Sequence, residues 1–126
     1  MKTHGELESA IGEGIGRFQE EYLGCGPKRL HAHVIGDLLV VRLHGVLSLA
    51  EQHLVKSLPP KKGRDLVKRV RAEIIETARS MMEAMVQRVA GVKVVSLHHD
   101  LSTITGEEVL IFTLAEPPVA HGSTIQ

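Results

Sequence analysis

Histidines at regular spacing are the residues of this chain best suited to chemistry, and the chain has eight of them among 126 residues. His31 and His33 lie two positions apart, so on a β-strand both imidazoles share one face, where a metal ion can bridge them. His98, His99 and Asp100 follow one another, which lets one imidazole and the carboxylate share a face. These five residues are the candidate metal ligands. We favour the competing interpretation, in which the histidines lie on solvent-exposed faces of the strands and the Asp100 side chain caps a loop. In this interpretation the protein binds no cofactor.

Two further features could suggest catalysis or anion binding. Cys25 is the only cysteine, and it follows a predicted helix, whose partial negative charge at the C-terminus disfavours a thiolate. The surrounding Gly24-Cys25-Gly26-Pro27 turn also follows that helix, whereas phosphate-binding loops precede a helix N-terminus. We therefore predict no catalytic residue and expect that the protein is not an enzyme.

The composition limits the classes of partner. Fifteen basic residues balance fifteen acidic ones, and Phe18, Tyr22 and Phe112 are the only aromatic residues, so we expect no nucleic-acid partner. A single cysteine allows no disulfide within the chain. The N-terminus has no stretch of signal-peptide type, and no run approaches the roughly 20 apolar residues that span a bilayer. We expect a cytoplasmic protein, with peripheral docking on a membrane complex as an open alternative.

Hydrophobic periodicity predicts seven elements. A heptad-like apolar pattern gives a first helix over residues 7–22, and a Gly36-Asp37 turn joins two strands at 30–34 and 38–43. Ser48 and Glu51 form a capping box for a short helix over 49–57. A long helix over 64–89 ends at Gly91, and strands at 92–98 and 109–114 follow it.

The polarity of the four strands predicts their arrangement. Strands 38–43 and 109–114 are the most continuously apolar, as central strands are, whereas 30–34 and 92–98 carry more polar residues. We predict an α+β fold of element order α-β-β-α-α-β-β, with a mainly antiparallel sheet of strand order 1-2-4-3 and helices on one face. Residues 1–115 form the single domain, and residues 116–126 form a flexible tail.

The long helix is apolar over a wide arc. Its apolar positions sweep about 200°, about twice the minimum stripe of an ordinary surface helix, which is more than one sheet face covers. We therefore predict a homodimer along this helix. Its interface candidates are Ile75, Met81, Met82, Met85, Val86 and Val89. Arg71 falls inside the same arc, where we expect it to meet a carboxylate, either in its own chain or across an interface.

The order of motifs resembles a small bacterial family. The family is named after the third, soluble component of a sodium-translocating, membrane-potential-generating system. The resemblance covers about residues 5–115 and rests on the 24–27 turn, the 37–43 strand, the 45–51 segment, Val67 and Val70-Arg71 of the long helix, and the 91–96 run followed by Asp100. The family's turn normally has a polar or basic residue in place of Cys25.

The resemblance implies a small stand-alone cytoplasmic protein linked with membrane components related to bicarbonate uptake, and it supplies no catalytic residues. We therefore expect a non-enzymatic accessory or regulatory homodimer, associated with a membrane ion or bicarbonate transport system and with a transporter component as partner. The alternative is a small-molecule- or metal-binding sensor that uses the histidines at a dimer interface.

Overall fold

The computed structural model describes residues 3–24, 26–57 and 60–118. Cys25 and residues 119–126 of the predicted tail lie outside the described residues. The elements are α1 (His4–Leu23), β1 (Arg29–Ile35), β2 (Leu38–His44), α2 (Leu49–Ser57), α3 (Pro60–Ala90), β3 (Val94–Leu101) and β4 (Glu108–Leu114). The predicted element order and the α+β class are confirmed.

Two capping boxes fix the starts of the shorter helices. At α1, the Glu6 amide donates to Thr3 Oγ1 (3.1 Å) and the Glu6 carboxylate accepts from the Thr3 amide (2.9 Å). At α2, Ser48 and Glu51 form the same reciprocal pair at 2.8 and 3.2 Å, as predicted. Each pair satisfies backbone donors that the first helical turn leaves without a partner. Gly24 ends α1 in a left-handed conformation with φ of 81°.

Two predicted boundaries need correction. The long helix starts at Pro60 rather than at Arg64. Proline lacks only a backbone donor that the first turn does not use, so Pro60 begins the helix instead of breaking the chain before it. Strand β3 spans Val94–Leu101 rather than 92–98, because the residues as far as Leu101 pair with β4 and the predicted loop starts later.

The sheet is antiparallel throughout and has the strand order β1-β2-β4-β3, as predicted. The turn between β1 and β2 consists of Gly36 and Asp37, with φ of 61° at the glycine, a value typical of a two-residue hairpin. The central pair β2–β4 runs from Leu38 opposite Thr113 to Leu43 opposite Glu108.

The core lies between one face of this sheet and the helices. Along β4 every second residue, from Glu108 to Leu114, is buried, so that set of side chains faces the core. Helix α1 packs on β1, α3 packs on β3, the two helices contact each other, and α2 packs on α3. No helix among residues 3–24, 26–57 and 60–118 packs on the opposite side. We call that side the open face; its side chains are Arg29, His31, His33, Ile35, Leu38, Val40, Arg42, His44, Ser96, His98, Asp100, Val109, Ile111 and Thr113.

Candidate functional site

A buried polar cluster lies where the sheet meets the helices. Glu108, the first residue of β4, is fully buried. Gln19 of α1 donates from Nε2 to Glu108 Oε1 (3.0 Å), and His99 Nε2 of β3 lies 2.7 Å from Glu108 Oε2. Both carboxylate oxygens therefore have partners inside the fold, which is the condition under which a buried carboxylate is tolerated.

Arg71 of α3 joins this carboxylate to α2. Its Nε and NH2 groups donate to the two carboxylate oxygens of Glu51, at 3.0 and 2.9 Å. NH2 also donates to the carbonyl oxygen of Val46, and NH1 lies 3.8 Å from Glu108 Oε1. The prediction that Arg71 meets a carboxylate is confirmed, and both carboxylates belong to its own chain. Its side chain is 2% exposed, so this is an interior ion pair.

Glu51 pairs with Arg71 and also caps α2, and these two contacts determine its pKa. Partial burial raises the pKa of Glu51, but the hydrogen bonds from Arg71 and from the Ser48 amide outweigh that effect, and the pKa falls below its ordinary value. Glu51 thus stays ionised as the partner of Arg71 while it caps α2. The cluster ties α1, α2, α3, β3 and β4 together, and its charged groups are engaged with one another, which suits a structural role.

Sequence reasoning found Arg71 and Glu51 but missed Gln19 and Glu108. Gln19 directly follows the buried Phe18 and shares the buried side of α1. Glu108 opens a strand whose alternate residues are all apolar. In both cases the available signal was a polar residue at a position that the periodicity assigns to the core.

The metal candidates divide between the two sides of the sheet. His31, His33, His98 and Asp100 lie on the open face, where the rings of His31 and His33 stack with centroids 6.4 Å apart. His99 points to the core side and contacts Glu108. Its assignment as a ligand beside the other four is therefore wrong, because neighbouring residues of a strand face opposite sides of the sheet.

The four remaining candidates lie at opposite edges of the sheet, as the strand order predicted. Strands β1 and β3 are separated by β2 and β4, so the imidazoles of His31 and His33 are about 14 Å from those of β3 at ordinary strand spacing. Within the described part of the chain, no group of three histidine, cysteine or acidic side chains is arranged to hold a metal ion. A single copy therefore does not bring the two pairs together.

Asp100 has neighbours of its own at the β3 edge. Its Oδ1 accepts from the Leu101 amide (2.9 Å) and lies 3.2 Å from Lys68 Nζ. The hydrogen bond from the Leu101 amide is the main cause that lowers the pKa of Asp100, burial opposes it, and the Lys68 ammonium adds to the lowering. The carboxylate is ionised at neutral pH and its side chain is 79% exposed.

The six interface candidates do not share one surface. Ile75, Met82 and Val86 are at most 3% exposed, because they belong to this chain's own hydrophobic core. Their assignment to an interface is corrected by this burial. Met81 is 48% exposed, and Met85 and Val89 are half-buried.

These last three side chains line a groove of about 410 Å³ between α1 and α3. Its floor is apolar, with Ala10, Gly14 and Phe18 on the α1 side. A side chain at Gly14 would come within 2.6 Å of Met85 Sδ, so glycine lets the two helices approach. The rim carries Glu13, Arg17, Glu21 and Arg88, whose charges balance.

The apolar surface of α3 continues past the end of α1. Tyr22 donates from its hydroxyl to Met81 Sδ at 3.6 Å, and beyond it Val70 and Leu66 are 46% and 40% exposed. The wide apolar arc of the long helix is thus only partly covered by the fold. Exposed or half-buried apolar side chains thus occur along about 35 Å of α3, at 1.5 Å per residue from Leu66 to Val89, with the exposed Glu73 and Thr77 between them.

A sequence profile described as "Na+-translocating membrane potential-generating system (MpsC)" matches residues 3–116. The chain belongs to this family. The motif order quoted above predicted this membership, which is confirmed and associates the chain with a membrane potential-generating system. None of the helices in the described residues is both long and apolar enough to cross a bilayer.

Two curated relatives come from Bacillus subtilis (strain 168). One, "Uncharacterized protein YbcI", is 34% identical over 113 residues, which cover 90% of this chain and 89% of the relative. The other, "Uncharacterized protein YrhF", is 29% identical over 100 residues, covering 78% and 79% of the two chains. No solved structure gives a significant match.

Proposed function

We propose that this protein is a non-enzymatic accessory or regulatory component of a membrane potential-generating system that carries sodium ions or bicarbonate. The observation that supports it best is the combination of MpsC family membership with an uncovered apolar groove on a chain whose buried charges are engaged with one another. Such a protein acts by binding its partner rather than by catalysis. It binds the cytoplasmic surface of the membrane complex, and it does so as a homodimer.

The groove between α1 and α3 is the proposed contact for a helical segment of the membrane component. An amphipathic helix laid along such a groove buries its apolar side chains against the floor. Met81 and Met85 suit this role, since unbranched thioether side chains adapt to irregular contacts. The rim charges balance, so apolar burial drives the binding, and we expect little dependence on salt.

The test introduces one charge into the groove. Met81→Glu puts a carboxylate at an exposed position of the groove wall, where docking would desolvate it. Ser80→Glu is the matched control, because Ser80 is exposed on the same helix turn and does not line the groove. Binding is measured by co-sedimentation with membrane vesicles from cells that contain or lack the system's membrane-spanning components.

We expect wild-type protein and Ser80→Glu to bind only the vesicles that contain the system, and Met81→Glu to bind at least tenfold more weakly. Equal binding to both kinds of vesicle would refute the association. If Met81→Glu instead converts a wild-type dimer into a monomer, the groove holds a second copy, as the sequence-based prediction has it, and the assignment to the membrane component is wrong.

A second candidate function is a metal sensor. The observation that favours it is the presence of four histidines, His31, His33, His44 and His98, and of the exposed Asp100 carboxylate on the same open face.

A further inference from the structure

The open face has the composition of a contact surface rather than of a solvated sheet. Leu38 and Val40 on β2 and Val109 and Ile111 on β4 form an aliphatic cluster on its two central strands, and all four are half-buried by their neighbours alone. Beside Val109 lies the exposed Arg42, which pairs with Glu107 at 2.6 Å. An antiparallel sheet with one face in water normally alternates apolar inside and polar outside, a pattern that these two strands break. An apolar centre with a polar rim is the anatomy of a protein interface.

The rim differs between the two edges. The β1 edge carries Arg29, His31 and His33, whereas the β3 edge carries His98 and Asp100. Imidazoles thus lie at both edges, Arg29 lies at the β1 edge, and the Asp100 carboxylate at the β3 edge already lies 3.2 Å from Lys68 Nζ. The histidines of β1 can meet His98 and Asp100 across two copies of the face only if the symmetry places β1 of one copy over β3 of the other.

The strand register supplies that arrangement. Two cross-strand rows run across the open face, one of His33, Val40, Ile111 and His98 and the next of His31, Arg42, Val109 and Asp100. Consider a two-fold axis that runs parallel to the strands and lies above the open face, over the line between β2 and β4. It places the β1 edge of one copy over the β3 edge of the other and keeps each residue in its row. His33 of one copy then lies over His98 of the other, and His31 lies over Asp100.

We infer that two copies of this chain pack open face to open face about such an axis, and that His31 and His33 of one copy and His98 and Asp100 of the other bind a divalent transition-metal ion. The symmetry creates two such sites per dimer. Each site is incomplete in a single copy, because β1 and β3 of one sheet lie at opposite edges.

The ligand set and the spacing suit zinc. Three imidazoles and one carboxylate are ligands that Zn²⁺ accepts in tetrahedral geometry, at about 2.0–2.2 Å. Sheets stacked face to face lie about 10 Å apart, a gap that facing histidines bridge through one ion. Among the described residues, the Leu101 amide and Lys68 Nζ both approach Asp100 Oδ1, so Oδ2 of this exposed carboxylate is the oxygen that would bind the ion.

The size of the face explains why a metal would matter. Four strands of seven or eight residues give a footprint of about 19 by 23 Å. Two such footprints amount to about 870 Å², which is less than the roughly 1,200 Å² in total that stable interfaces bury. Metal bonds at both rims would then add substantially to the stability of the dimer.

The experiment measures mass and metal content of the untagged full chain by native mass spectrometry, in buffered zinc and after treatment with EDTA. We expect a dimer with two zinc ions, and removal of the metal should raise the dimer dissociation constant at least tenfold. The control is His53→Gln, because His53 is exposed on α2 and outside the open face.

Complementation between two variants distinguishes a shared site from a site within one chain. One variant combines His31→Gln with His33→Gln, and the other combines His98→Gln with Asp100→Asn. Each variant alone should bind no zinc at this site. Mixed together they form a heterodimer in which one site has all four native ligands and the other has none, so we expect one zinc ion per heterodimer.

A mixture that binds no zinc, while both variants keep the wild-type circular dichroism, overturns the shared site. Wild-type protein that stays monomeric in zinc, or a dimer that EDTA does not weaken, also overturns the inference. None of these results depends on the groove between α1 and α3, so the failure of this inference and the failure of the proposed function can be told apart.

Discussion

The cluster around Arg71 predicts a large and specific loss of stability when that side chain is replaced. Arg71→Met keeps an unbranched apolar stem of similar length but removes the hydrogen bonds to Glu51, the bond to the Val46 carbonyl and the ion pair with Glu108. Glu108 then stays fully buried without its cationic neighbour. Removing one partner of a buried ion pair costs about 3–5 kcal/mol, a large part of the 5–15 kcal/mol that stabilises a typical domain.

Arg79→Met is the matched control on the same helix. Arg79 pairs with Glu76 and Glu83 near the surface, and its side chain is 34% exposed, so its loss should cost about 1 kcal/mol or less. Urea unfolding followed by circular dichroism gives both free energies, since the chain has no tryptophan for fluorescence. A cost for Arg71→Met within about 1 kcal/mol of the control would refute the reasoning. Adding Glu108→Gln to Arg71→Met should recover part of the loss, because it removes the uncompensated charge.

Two further predictions concern glycine and pH. Gly16→Ala should raise the free energy of unfolding by about 0.5–1 kcal/mol, because α1 has open space there and alanine favours a helix; Gly63→Ala should lower it, because the new Cβ would lie 2.3 Å from the Leu54 carbonyl oxygen. Equal effects of the two in urea unfolding would contradict the close approach of α2 and α3. The pKa of Glu51 is lowered from 4.5 in the folded chain, so its pairing with Arg71 stabilises the fold above that pH and is lost as the pH falls through the folded value. Glu51→Gln should therefore be less stable than wild type at pH 7, with a difference that shrinks below pH 4.5; a constant difference would contradict this linkage.

The sequence determined the architecture well because local signals agreed with each other. The Ser48 capping box fixed the start of α2, and the Gly36 turn fixed the first hairpin. The contrast in polarity between outer and inner strands then predicted the order β1-β2-β4-β3. One boundary error arose at Pro60, because proline can either break a chain or begin a helix. The other arose at the two ends of β3, where only the pairing with β4 decides the limits of the strand.

The contacts within the candidate sites were less accessible to sequence reasoning. The apolar arc of α3 showed that the helix has more apolar surface than one sheet face covers, but it did not show which part remains exposed. The fold buries Ile75, Met82 and Val86 in its core and leaves Met81 at the surface, a difference that the periodicity of one helix does not reveal because it depends on the elements packed against that helix. Likewise, the strand period placed His98 and His99 on opposite faces, but only the register showed which one meets Glu108.

Family membership supports the proposed membrane association more than it supports the proposed zinc site on the open face. The segments that carry the family resemblance include Glu51 and Arg71, which the fold joins in the buried cluster. Of the four proposed zinc ligands they include Asp100 alone, whereas the three histidines lie outside them. The resemblance therefore supports the shared fold and its internal ion pairs, and through them the association with a membrane system. It carries no information about zinc. The open-face site stands on the register and the side-chain chemistry of this chain alone, so the complementation experiment decides it without reference to the family.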